Sequence, residues 1–170
     1  MSRKRIDMIL EIHKAVTEPL YLVLAGLGNG HLNWRPAPDS RSINEIMRHL
    51  IRVDNSFLKK LNQEIIIDDP VGGSATIILE ALKKLHFQIQ ILLENCDDDS
   101  DLFKKSKYEN AEENDTINEH IIHSCQHNLY HLSQMIYLRR ALDRSWKSPV
   151  SEWDKATRII AGYLSAEHNN

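Results

Sequence analysis

The sequence predicts an all-α fold, a four-helix bundle with a short further helix at the C-terminal end. Apolar residues recur three and four positions apart in four long segments, which is the spacing of one face of an α-helix. Two segments open with Ser or Thr followed three residues later by Glu, and none keeps the alternation typical of a strand. The 170 residues, 42% hydrophobic and 26% charged, suit a single domain over residues 1–170.

Composition and charge exclude several classes of partner. The net charge is −3 and no basic block is dense enough to follow a phosphate backbone, so we expect no nucleic acid and no membrane partner. The apolar run from Pro19 to Gly28 is too short to span a bilayer, and charges interrupt the N-terminal segment. Cys96 and Cys125 lack metal or disulfide spacing. We therefore predict a cytoplasmic protein with reduced thiols.

The first helix is predicted from Ser2 to Ala25, with a bend at Pro19. Glycines within residues 26–30 end it. Because these glycines follow a helix and do not join a strand to a helix, they do not indicate a phosphate-binding loop. His13 is interpreted as a structural residue at the boundary of the apolar stripe.

The second helix follows a proline-rich turn and begins at Ser42, with Glu45 completing a capping box. Its core-facing residues share the helical spacing: Ile43, Ile46, Met47, Leu50, Val53, Phe57 and Leu61. His49 lies at the edge of this stripe, within reach of the interior. Taken alone, a histidine there is more often a hydrogen-bonded structural residue than a metal ligand.

The third helix is predicted from Ser74 to Glu94 as a purely packing element, because its stripe is almost wholly aliphatic. The polar residues that follow it, Asp97 to Asp101 among them, indicate a solvated loop without the pattern of a calcium-binding loop. After the fourth helix, Ser148 and Pro149 resemble the start of the short terminal helix. Its apolar residues are Trp153, Ile159, Ile160 and Tyr163.

The fourth helix, over residues 116–140, carries four of the nine histidines. Thr116 and Glu119 form a capping box at its start, and Arg139 and Arg140 suit the dipole at its end. At about 100° per residue, the four imidazoles share one face that continues an apolar stripe toward the core. They are His120, His123, His127 and His131. Cys125 lies off this face and is interpreted as buried apolar filler.

Two motifs resemble signatures of the DinB-like family of metal-dependent helical bundles. WRPAPDSRSINEIMRHL, at residues 34–50, resembles the family's Trp-Arg-Pro turn and following helix, and HNLYHLSQMIYLRR, at residues 127–140, is similar to its paired histidines with a basic end. The family's name refers to damage-inducible bacterial proteins and does not imply a DNA polymerase. The resemblance implies an up-down-down-up bundle.

Position by position, the resemblance places the family's metal triad on His49, His127 and His131. His120 and His123 fall outside it and are interpreted as pocket-lining residues or as supports of the ligands. Two departures from the family pattern affect the pocket wall and not the ligands. Ser133 stands where glycine is common, and Arg41 stands where an aromatic residue is frequent.

Helix geometry supports the same triad. Histidines four residues apart, as His127 and His131 are, project their rings side by side, and one ring from a facing helix completes a three-nitrogen site. Such a site keeps positions open for water or substrate, which is typical of a catalytic metal. Three imidazoles suit zinc or nickel, with iron and copper as further candidates.

We therefore predict a metal-dependent enzyme whose cation lowers the pKa of bound water or of a substrate thiol. Hydrolysis and thiol-dependent transfer of a small molecule both fit, and the resemblance favours a low-molecular-weight thiol. Tyr130 and Gln134 are candidates to orient the ligands or the nucleophile, with packing as their alternative role. The competing hypothesis is a non-catalytic metal-binding, stress-related or interaction protein, and a cavity that reaches the metal would distinguish the two.

A second apolar stripe on the fourth helix predicts a homodimer. Its members lie roughly opposite the histidine face: Ile121, Cys125, Leu129, Leu132 and Ile136. One stripe is enough for a helix of a simple four-helix bundle, so we expect the surplus to be covered by a second copy of the chain or by the terminal helix.

Overall fold

The computed structural model describes residues 2–61, 67–106, 115–148 and 157–162. The long helices are α1 (Lys4–Leu24), α3 (Ile43–Lys60), α4 (Ala75–Glu94) and α5 (Ile117–Leu142). Between them lie the short α2 (Asn29–Leu32) and a 3₁₀ helix (Asp99–Phe103), and residues 157–162 are helical. Apart from one isolated β-bridge, the regular structure of these residues is helical, which confirms the all-α prediction.

The four long helices form a ring in which α1 packs on α5, α5 on α3, α3 on α4 and α4 on α1. Asp99, after α4, bonds the first turn of α1, so these two helices are antiparallel. Arg139, near the end of α5, bonds the end of α1, so these two are parallel. Lys60, at the end of α3, pairs with Asp115 before α5, so α3 and α5 are antiparallel. The bundle is therefore up-down-down-up, as the resemblance implies.

Side-chain caps fix where the helices begin. Ser42 and Glu45 form the complete predicted capping box at the start of α3. Ser74 and Thr116 each accept a hydrogen bond from the backbone N–H three residues on, at the starts of α4 and α5. Asp99 differs from the prediction of a solvated loop, because its carboxylate accepts from two backbone N–H groups in the first turn of α1. The polar loop thus closes one end of the bundle.

The core contains more buried polar side chains than the sequence predicts. His13, interpreted as a boundary residue, is wholly buried, and His86 is buried on α4, which was predicted to be a purely packing helix. Ile77, assigned to the core stripe of α4, is 52% exposed because it lies about 100° around the helix from buried Ile78. The periodicity located the helix correctly, but it predicted a buried face that was too wide, because it included Ile77.

The second apolar stripe of α5 is buried inside the chain. Of its five members, Ile121, Cys125, Leu132 and Ile136 are buried and Leu129 is partly buried, because α5 packs against α1 on one side and α3 on the other. A helix in this ring has two neighbours and so needs a buried face wider than one stripe. The premise of the dimer prediction is therefore wrong, and the homodimer itself stays a prediction without that support.

The C-terminal segment is described only in part. Ile159 and Ile160 lie in the helical residues 157–162 and are partly buried against the core. Pro149, Trp153 and Tyr163, on which the predicted terminal helix also depends, fall outside the described residues. Among the helices that are described, none combines the length and the apolar character needed to cross a membrane.

Candidate metal centre

Three histidine rings from two antiparallel helices converge on one point. His49 extends from α3, and His127 and His131 extend from successive turns of α5. The Nε2 atom of His127 lies 3.1 Å from Nε2 of His49 and 3.2 Å from Nε2 of His131. One potential ligand atom from each ring lies within 4.8 Å of the other two. The structure therefore brings together the three histidines that the sequence singled out.

This arrangement fits a metal ion. Nitrogen ligands lie about 2.0–2.1 Å from zinc, so tetrahedral coordination separates two of them by roughly 3.4 Å, close to the measured distances. Hydrogen bonding alone accounts poorly for the contacts, because Nε2 of His127 faces two other ring nitrogens and a neutral imidazole has only one N–H. A cation accepts all three lone pairs at once. The donor set therefore suits a divalent transition metal.

Gln134 fixes the form in which His131 meets the site. Its side-chain Oε1 lies 2.8 Å from Nδ1 of His131, and a carbonyl oxygen only accepts, so Nδ1 carries the proton. The lone pair of His131 is therefore on Nε2, the atom that faces His127. This is the orienting contact expected beside a histidine ligand, and it gives Gln134 the orienting position considered for it in the sequence.

The electrostatics keep these imidazoles neutral. Burial lowers the pKa of His127 to about 4, helped by the neighbouring His131 and His49. Burial also lowers the pKa of His49 and of His131, and the positive charge of Arg41 acts in the same direction on both. Neutral imidazole is the form that binds a metal, so the site presents its lone pairs at neutral pH.

The other two histidines of α5 do not join the cluster. The Nε2 atom of His120 lies 2.8 Å from a carboxylate oxygen of Asp115, at the end of the bundle where α5 begins. His123 is exposed, and its ring centroid lies 6.4 Å from that of His127. Neither is among the residues that line the cavity described next, so their interpretation as pocket-lining or supporting residues stays a prediction. Burial lowers the pKa of His120, so its contact with Asp115 joins a neutral imidazole to a carboxylate. Cys125 is buried, and burial raises its thiol pKa to about 12, as suits a packing residue.

An open cavity of about 680 Å³ adjoins the cluster at His131. One wall comes from α5 and the other from the turn before α3 and the first residues of that helix. The lining residues are Pro36, Ser40, Arg41, Ile46, Tyr130, His131, Ser133, Gln134, Tyr137 and Leu138. Both departures from the family pattern, Arg41 and Ser133, therefore lie in the pocket wall. Tyr130 also lies there, with its ring centroid 5.0 Å from that of His131.

Hydrogen bonds fix the turn before α3, which forms one wall of the cavity. The guanidinium of Arg35 lies 2.6 Å from a carboxylate oxygen of Glu45 and donates to the backbone carbonyl of Ser40. Glu45 in turn accepts from the backbone N–H of Ser42 in the capping box. Arg35 of the Trp-Arg-Pro motif therefore stabilises the turn that forms this wall. The same contacts hold Arg41 next to the start of α3.

Sequence reasoning missed a second group of buried and partly buried polar residues, which we name the central polar cluster. Its members come from all four long helices: His13, Tyr21, Asp54, His86, Ser124 and Asn128. A carboxylate oxygen of Asp54 accepts from the Ser124 hydroxyl at 2.8 Å, and the other lies 3.3 Å from Nε2 of His86. The spacing of Leu50, Asp54 and Leu58 was the available signal, because it places a carboxylate within an apolar stripe.

Comparison with known proteins agrees with the geometry. The family model of the DinB superfamily matches residues 12–135, which is well over half of the chain and contains His49, His127 and His131. No curated protein and no solved structure matches the sequence. The helical bundle, the three-histidine cluster and the extent of the match lead to one assignment: this chain belongs to the DinB superfamily of metal-binding proteins.

Proposed function

We propose that this protein is a metal-dependent enzyme in which His49, His127 and His131 hold a divalent transition metal beside an open substrate cavity. The observation that carries this proposal is that His131 lies in the wall of the 680 Å³ cavity. A volume of several hundred Å³ suits a small molecule. A cation held by three protein nitrogens would keep coordination positions free for water or substrate.

Zinc and nickel are the metals that the donor set favours, and iron and copper remain further candidates. When bound, the cation would supply Lewis-acid chemistry, lowering the pKa of a coordinated water or thiol. The chain's own residues prepare this site. Gln134 holds the His131 tautomer, and burial keeps all three rings neutral, so no proton has to leave an imidazole before the metal enters.

The class of reaction depends on which molecule occupies the free coordination position of the metal. Hydrolysis of a small molecule needs water there, and thiol-dependent transfer needs a thiol. The motif resemblance favours a low-molecular-weight thiol. The Tyr130 side chain is 61% exposed and lines the cavity next to His131, so its hydroxyl can hydrogen-bond a bound nucleophile or substrate. Ile46 and Leu138 add apolar surface to the same wall.

A non-catalytic metal-binding protein is the alternative, and one observation favours it. The three rings join α3 to α5, so a cation would cross-link two antiparallel helices at the middle of the bundle. A purely structural metal, however, is usually enclosed by four protein ligands. The cavity at His131 supports the enzyme instead.

The test begins with elemental analysis of protein purified without a histidine tag, because a tag can itself deliver nickel. We expect about one equivalent of a transition metal per chain in the wild type and in His123→Ala, and little in His127→Ala. The zinc- and nickel-loaded proteins are then screened for hydrolysis and for thiol transfer. Activity that depends on the metal and is lost in His127→Ala supports the enzyme. Full metal content without activity in either screen, together with a large loss of unfolding stability on chelation, supports the structural alternative.

A further inference from the structure

Arg41 lies in the wall of the cavity and has no partner among the residues that the structure describes. Its side chain is exposed, and no other described residue forms a hydrogen bond or ion pair with it. Neighbouring arginines are different. Arg35 pairs with Glu45, and Arg48 and Arg52 both pair with Asp69. Of these four arginines, Arg41 is thus the one whose guanidinium is left available for a ligand.

The rest of the described cavity wall does not neutralise this charge. Its lining residues include no Asp and no Glu, and its other polar groups are hydroxyls, the amide of Gln134 and the imidazole of His131. A divalent metal at the cluster would add to the positive potential. A cavity with one sign of charge and partly apolar walls attracts ligands of the opposite charge.

Two tyrosines on α5 also line the cavity and indicate the shape of a ligand that would fit it. Tyr130 and Tyr137 are seven residues apart, about two turns of α5, and both line the cavity with most of their side chains exposed. Exposed aromatic faces beside one cation favour a flat apolar body with an anionic group. A single guanidinium matches a carboxylate in its planar two-pronged geometry, whereas phosphate sites usually combine several cations or backbone N–H groups.

We propose that Arg41 binds the carboxylate of the small molecule that occupies this cavity, and so selects anionic over neutral substrates. That the ligand is a substrate rests on the proposed function, but the anion-binding role of Arg41 does not. Arg41 precedes Ser42, the N-cap of α3, and the Arg35–Glu45 pair holds its turn. The backbone that carries the guanidinium is therefore fixed, which lowers the entropy cost of binding.

Benzoate and benzamide are the probes, because they share size and shape and differ in charge. Dissociation constants are measured by NMR titration of the full chain, both metal-free and zinc-loaded. In the wild type we expect benzoate to bind roughly five- to tenfold more tightly than benzamide, as suits one charge-assisted pair in an open site. Arg41→Ala should abolish the preference, Arg41→Lys should keep part of it, and Arg52→Ala should leave it unchanged. Arg52 is the matched control because it carries the same charge near His49 but lies outside the cavity wall.

The metal-free protein is the decisive arm, since benzoate can also coordinate a metal directly. Equal binding of the two probes by metal-free wild type would overturn the proposal, and so would an unchanged preference in Arg41→Ala or an equal loss in Arg52→Ala. Thermal unfolding of the variants shows that each is folded. The metal content measured above keeps the two ideas separate. If the elemental analysis finds no metal bound by the wild type but the benzoate preference is present, the result supports Arg41 and argues against the metal-dependent enzyme. Metal-dependent catalysis without the preference contradicts only the role of Arg41.

Discussion

The bundle contains two groups of buried or half-buried histidines, and they differ in how their nitrogens are used. In the metal centre, three Nε2 atoms point at one another and no described acidic side chain bonds them. In the central polar cluster, His86 has Tyr21 at Nδ1, 2.7 Å away, and Asp54 at Nε2. Both ring nitrogens of His86 thus have a polar neighbour, although the 3.3 Å contact with Asp54 lacks hydrogen-bond geometry. The nitrogens of the neighbouring His13 have no hydrogen-bond partner among the described residues. A metal site therefore requires convergent lone pairs, and burial of histidine alone does not create one.

The two groups also differ in access. His131 is only 3% exposed but borders an open cavity, and His49 and His127 are partly exposed, whereas His13, His86 and Asp54 are almost wholly inaccessible. A buried polar group costs free energy unless it is hydrogen-bonded. The network of Tyr21, His86, Asp54 and Ser124 reduces that cost and joins α1, α3, α4 and α5 through specific contacts. We infer that the central polar cluster specifies packing, while the metal centre is available for chemistry.

Loss of Asp54 should separate the two roles most clearly. We expect Asp54→Ala to lower the free energy of unfolding by about 2–4 kcal/mol, because it leaves the Ser124 hydroxyl and the His86 ring buried without their acidic neighbour. Urea denaturation of the metal-free protein measures this loss. Asp97→Ala, on the exposed loop after α4, is the control and should change stability by less than about 0.5 kcal/mol. Equal stabilities of the two variants would show that the central polar cluster contributes little to the fold.

Loss of His127 should act on the metal and much less on the fold. Its Nε2 atom is the one close to both other ligands, so we expect His127→Ala to weaken zinc affinity by at least about 100-fold. Competition with a chromophoric chelator measures the affinity. His123→Ala, one turn earlier on the same helix, should bind zinc as the wild type does. Retention of wild-type affinity in His127→Ala would remove the three-histidine site from consideration.

Acid should destabilise the metal-free protein through these histidines. The folded-state pKa of His127 is lowered to about 4, so below pH 6.5 the unfolded chain binds more protons than the native one. Stability should therefore be complete above about pH 6.5 and fall as the pH drops toward 4. Allowing for partial exposure, His127 should account for about 1–2 kcal/mol of this loss. Urea midpoints of wild type and His127→Ala between pH 7 and 4 measure it, and parallel curves would contradict this assignment.

Substitution of Gln134 should produce the smallest of these effects on the protein. Removing its carbonyl frees the Nδ1 proton of His131 and lets the ring change tautomer or turn, so Gln134→Ala should weaken zinc binding by about tenfold. Gln126→Ala, at an exposed position of the same helix, is the matched control. If both variants bound zinc equally well, the hydrogen bond to His131 would have no part in metal binding.

Sequence alone determined the local structure and the paired histidines. Helical periodicity and capping residues act within a few positions, so the bounds of α3, α4 and α5 followed from residues such as Ser42, Ser74 and Thr116. The pairing of His127 and His131 followed from the four-residue spacing in the same way. The signatures around His49 and His127 indicated the family, and the match over residues 12–135 confirmed it.

Tertiary structure decided which polar residues meet. His120 and His127 share one face of α5, yet they lie on different turns, so one meets Asp115 at the end of the bundle and the other meets His49 on α3. From the sequence, Arg139 was expected to interact with the dipole at the end of its own helix. In the structure its guanidinium donates to carbonyl oxygens at the end of α1, because α1 and α5 run parallel. The central polar cluster and the burial of the second α5 stripe have the same origin. Each depends on which helices are neighbours in the ring and on the depth at which they cross, and neither quantity is encoded in the periodicity of a single helix.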